Sequence, residues 1–171
     1  MELVLTLVAG FAVLFAIVVW RIPRQQRHGV EIMVQRHPGI MRLLTNPRVE
    51  WHSVVGHSHG YELMLKPTLR DGEPAVSIMG LDEVPGGRWE VDATLDGAIR
   101  GLDGTLPAPE RARAAINRLV ELGAAEVEVR STGHLEAEDV PLLGGDEDAL
   151  HAALDAIVEL LRACGARPSS S

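Results

Sequence analysis

Hydrophobic and polar positions divide this chain into two unlike parts. From Leu3 to Trp20 no side chain is charged and Thr6 alone is polar. Such a run rises about 27 Å as a helix, against a hydrocarbon core of roughly 30 Å, and Ile22 can extend it. A stretch apolar on every face predicts a single transmembrane helix within residues 1–22. A cleaved signal peptide would instead carry a basic start, a shorter core and small residues at its end. Here Glu2 precedes the run and Arg21 follows Trp20 directly.

Beyond residue 48 the pattern takes the period of strands. Val49–Val55, Tyr61–Leu69, Ala75–Leu81 and Arg88–Leu95 read as strands. The last alternates most cleanly, with Trp89, Val91, Ala93 and Leu95 opposite Glu90, Asp92 and Thr94. Alternation of this kind means one buried and one wet face. Turn chemistry at Gly56–Gly60, Asp71-Gly72 and Pro85-Gly86-Gly87 joins the runs into a four-stranded meander. Asp96–Leu106 reads as loop with a short strand near Ala98–Leu102.

A helix is then expected from Pro109 to Gly123, with Ala112, Ala115, Ile116, Leu119 and Val120 inward. Ala125–Arg130 and His134–Val140 make a hairpin around Ser131-Thr132-Gly133. In it Val127, Val129, Leu135 and Ala137 face the core and the intervening glutamates face water. A last helix runs from the N-cap Asp146 to Cys164, with Leu150, Leu154, Ile157, Val158 and Leu161 inward. Upstream, Gly29–Val34 reads as a short strand and Ile40–Leu44 as one helical turn.

The expected fold class is α+β. A transmembrane anchor (1–22) and a basic juxtamembrane connector (23–48) precede an acidic domain (49–167) and a disordered tail (168–171). In the domain two helices pack on a mainly antiparallel sheet, built as a four-stranded meander plus a hairpin.

Charge sharpens this division. Residues 1–48 hold six arginines against two glutamates, and the other 10 basic side chains of 16 face 22 of the 24 acids. Arg21, Arg24, Arg27, Arg36, Arg42 and Arg48 follow the span against Glu31 alone. Arginines close to a span stay cytoplasmic, which predicts an outward N-terminus and a cytoplasmic C-terminal domain. A secreted or periplasmic domain requires the reverse orientation or cleavage. Headgroup binding by residues 21–48 is the weaker reading, because these arginines are spread out rather than clustered. An acidic domain is repelled by nucleic acid, so the expected partners are the lipid bilayer, through residues 3–20, and a membrane-proximal protein.

Histidines supply the one chemically suggestive cluster. His52, His57 and His59 fall within eight residues. On an extended chain the His57-Ser58-His59 pair would share a face about 6.5 Å apart at Cα, close enough to hold Zn²⁺. His52, Glu62 or His37 would be the third ligand. The pair matches the start of the H-x-H-x-D-H signature of metallo-β-lactamases. Tyr61 and Glu62 occupy its Asp and His positions, and the chain is too short for that fold, so the family is excluded.

Glu136, Glu138 and Asp139, or Asp82 and Glu83, could pair as acid and base, but nothing in the sequence sets their spacing. The single cysteine, Cys164, fits a reducing compartment and a packing role. Phosphate-binding P-loop, dinucleotide-binding and G-x-S-x-G patterns are absent. The reading that follows is a membrane-anchored protein-binding or assembly module with no cofactor. A metal-dependent hydrolase built on His57 and His59 is the alternative.

Overall fold

A computed structural model describes residues 28–85, 90–92, 98–100, 108–129, 133–142 and 147–169. The apolar run at 3–20 lies outside them. Among the described residues no helix is long and apolar enough to cross a membrane.

Helix α1 occupies residues 28–36, where the sequence suggested a strand. Val30 and Met33 are buried three residues apart, and Val34 packs partly beside them. That is the spacing of one helical face, which a six-residue window could not separate from alternation. The single-turn α2 (Ile40–Leu43) follows as expected, and Ile40 and Leu44 join the same core. Part of the segment read as a connector is therefore folded into the domain.

Strands β1 (Thr45–Val49), β2 (Val54–Ser58), β3 (Tyr61–Arg70) and β4 (Glu73–Gly80) form the meander. The first expected strand, Val49–Val55, folds back on itself instead. Val49 pairs with Val54, and Glu50 N–H donates to Ser53 O at 2.8 Å. Both two-residue turns, His59-Gly60 and Asp71-Gly72, place their two residues at positive φ (51 and 85°, 53 and 86°). This is the mirror-image turn whose twist matches that of paired strands, and glycine enters the second position without steric cost.

The hairpin of β7 (Glu126–Val129) and β8 (Leu135–Pro141) sits beside β4. The expected fourth meander strand is seen as β5 (Glu90–Asp92), which pairs with β7 and with β6 (Ala98–Arg100) rather than with β4. Among the described residues, eight strands run in the order β1-β2-β3-β4-β8-β7-β5-β6, all neighbours antiparallel. The reason lies in β4. Ala75, Val76, Ser77 and Ile78 are all buried, the mark of a strand covered on both faces. A bulge in β8 sets Val76 opposite Val140 but Ile78 opposite Ala137. Its Asp139 adopts φ 52° and donates its N–H to Ser77 Oγ. The extra residue returns Val140 to the core side.

Helices α3 (Pro109–Glu121) and α4 (Glu147–Ala163) pack together, with the Ala108 N–H donating to Ala163 O at 3.2 Å. That bond satisfies one carbonyl left open at the end of α4 and places the start of α3 beside it. The apolar stripe of α4 is wider than expected, because Ala153, Ala156, Leu160 and Ala163 are buried as well. It packs against β2, β4 and β8 on one side and α3 and α2 on others. At Gly80 a Cβ would come within 2.8 Å of Leu161 Cδ2, so glycine sets how closely β4 and α4 approach.

Gly80→Ala is expected to destabilise the domain by about 1–3 kcal/mol through overpacking, and Leu161→Ala by about 2–5 kcal/mol through a cavity. The double variant should lose less than the sum, because each change makes room for the other. Urea denaturation of the four proteins checks this.

Candidate functional site

A concavity with a volume of about 620 Å³ lies between α1 and the β3–β4 hairpin. Helix α1 contributes Ile32, Met33 and Arg36, and His37 follows at its end. The hairpin contributes Lys66 to Leu69 with Pro74 and Ala75, and Leu142 and His52 complete the lining. The walls are largely apolar; Arg36, His37 and His52 are charged or protonatable residues of the lining, whereas Lys66 borders the groove from a position that shares the Glu62 face of β3, away from the core. Thr68 Oγ1 is buried without a hydrogen-bond partner, on the same face of β3 as Lys66. Two of the large exposed hydrophobic side chains flank the groove: Leu69, 71% exposed, lines it, and Trp51, 66% exposed, precedes His52.

Burial, and then the charge of Arg36, holds His37 below the usual histidine value of 6.5. The fold therefore favours its neutral imidazole. A second concavity of about 490 Å³ between α3 and α4 carries mixed charge, with Arg111 and Arg118 beside Asp155 and Glu159. A more apolar lining is what distinguishes the first.

The three histidines singled out in the sequence do not converge. His52 lines the groove. His57 lies on β2, opposite Glu62 on β3, on the side of the sheet away from Val54 and the core; its Nδ1 is buried without a partner. His59 is not on the strand at all. Its backbone is at φ 51° in the turn, and its Nε2 reaches Asp155 Oδ1 on α4 at 3.2 Å. His151 Nδ1 stands 3.7 Å from the other oxygen of Asp155. An H-x-H pair shares a face only where both residues are extended, and the turn breaks that condition.

Among the described residues, Glu128, Glu136 and Glu138 are the one set of at least three potential metal-ligand side chains whose donor atoms lie within 4.8 Å of one another. Glu128 stands directly across from Glu136 on the paired strands. Glu136, expected to face water, is only 4% exposed, because β8 is an inner strand flanked by β4 and β7. Each of the three residues takes part in interactions of its own. Asp82 is structural: its Oδ2 accepts the Glu62 N–H at 2.7 Å. Pattern reading missed Arg36, since the groove it lines depends on α1 being a helix laid against β3.

Cys164 is fully buried, and desolvation raises its thiol pKa to about 12. No protein-family model, curated protein or solved structure matches the chain.

Two measurements check these assignments. The Cys164 thiol should resist a disulfide reagent at mildly alkaline pH and react fully after denaturation. For His37, the unfolded chain takes up the proton first as pH falls below 6.5, so its contribution to stability is complete above that value. It is lost as the pH drops through the lowered folded value. Thermal melts should show a smaller drop in Tm from neutral to mildly acidic pH in His37→Gln than in the unaltered protein.

Proposed function

We propose that this chain is a membrane-tethered binding module that holds the groove beside α1 at the surface of the bilayer. The observation that carries the reading is that one wall of the groove, α1, is in place by residue 28. Residues 21–27 span at most about 25 Å of extended chain, so an anchor at 3–20 keeps the groove close to the headgroups. The arginines after the anchor favour a cytoplasmic domain. Confinement at the membrane raises the effective concentration of the domain for partners found there.

The groove supports this reading better than the sheet edge does. Strand β1 carries a register irregularity, Pro47 and Arg48, features that hinder addition of a partner strand. The hydrolase alternative draws no support from His57 and His59, which point to different surroundings.

Alkaline carbonate extraction of cells making the full chain should leave it in the membrane fraction, and deletion of residues 3–20 should release it. A reporter fused after Ser171 should be active only on the cytoplasmic side. Recovery of the intact chain in the soluble fraction would overturn the tether.

A further inference from the structure

We infer that His59, Asp155 and His151 form a site for a transition-metal ion of the zinc type, which ties the β2–β3 turn to α4. The site takes one histidine of the sequence cluster and gives it partners far along the chain. It depends on neither the anchor nor the groove beside α1.

Two of the three ligands share a helix. His151 and Asp155 stand four positions apart on α4, on adjoining turns of one face, the spacing at which a helix chelates a metal. His59 comes to them from the sheet. Its Nε2 lies 3.2 Å from Asp155 Oδ1, and His151 Nδ1 lies 3.7 Å from Oδ2. Two donors on one tetrahedral zinc, each bonded at about 2.0–2.1 Å, are about 3.3 Å apart. The first separation matches that value and the second exceeds it slightly. The imidazoles meet opposite oxygens of the carboxylate, so loading the site requires a ring rotation that brings their nitrogens together. Both rings are half-exposed, and exposed side chains change rotamer readily.

The fold delivers the third ligand. His59 takes φ 51° in its two-residue turn, and the Tyr61 hydroxyl beyond the turn donates to Ala166 O at 3.3 Å. The turn is thereby pinned to the chain that follows α4, and the His59 ring is held at Asp155. Two imidazoles and one carboxylate suit zinc, nickel or copper(II), whereas magnesium and calcium prefer oxygen alone. Nearby arginines are engaged elsewhere. Arg118, which lines a concavity with Asp155, reaches Glu121 at 3.4 Å, and Arg162 reaches Glu159. Three protein ligands leave the fourth position of a tetrahedral ion to water.

The test is calorimetric titration of the metal-free full chain, in detergent micelles, with Zn²⁺. One ion per chain should bind, excess Mg²⁺ should not displace it, and Zn²⁺ should raise the Tm. His59→Asn keeps a residue that tolerates the left-handed turn but removes the imidazole. That variant, Asp155→Asn and His151→Gln should each weaken binding at least about tenfold, the equivalent of about 1.4 kcal/mol. His57→Gln and His52→Gln should leave it unchanged. Protection of the Cys164 thiol reports that each variant is folded. Absence of saturable one-to-one binding would overturn the site, leaving a hydrogen-bonded His–Asp–His cluster only. Unchanged binding in folded His59→Asn or Asp155→Asn, displacement by Mg²⁺, or loss of the ion in His57→Gln would overturn it equally.

Discussion

Helix α4 presents nine buried side chains to its surroundings, and the sheet, α3 and α2 are all arranged to cover them. Each large apolar side chain among them is worth about 1.5–3 kcal/mol when removed from water. At Gly80 the missing side chain lets β4 meet Leu161 directly. Because β4 is gripped there, the strands on either side take their places from it. Strand β3 pairs along most of the length of β4, and β8 occupies the other edge with a bulge that keeps Ala137 and Val140 on the core side.

The same core carries α1. Val30 and Met33 attach the helix to the cluster formed by α4 and the sheet, which leaves Ile32 and Arg36 facing the β3–β4 hairpin across the groove. Binding chemistry therefore sits on an element that is joined to the proposed anchor at one end and to the core through its buried face. The groove is walled by α1 and the β3–β4 hairpin, which lie more than twenty-five positions apart in the chain.

The histidines illustrate how local geometry redirects chemistry. Ser58 and Tyr61 pair across a two-residue turn, so His59 must take a left-handed backbone that carries its ring toward Asp155. His57, still on the strand, keeps the opposite side of the sheet from the core. His52 falls in the tight return between β1 and β2 and meets the groove. Three residues within a short string thus serve three separate surroundings.

Much of the architecture was legible in the order of residues. The α3 and α4 stripes, the β7–β8 hairpin, the Asp71-Gly72 turn and the α+β class follow from periodicity and turn chemistry, which act over a few neighbouring positions. The apolar character of 3–20 and the excess of arginine after it are likewise properties of the sequence itself. Tertiary structure alone decided that β8 rather than β5 lies beside β4, that Glu136 is buried, and that α1 and the β3–β4 hairpin enclose a groove. Those outcomes depend on which strands pair and which helix face is covered, and such long-range contacts leave no fixed spacing in the sequence. The helix at 28–36 was missed for the same reason: its apolar face is short, and only the core it joins distinguishes it from a strand.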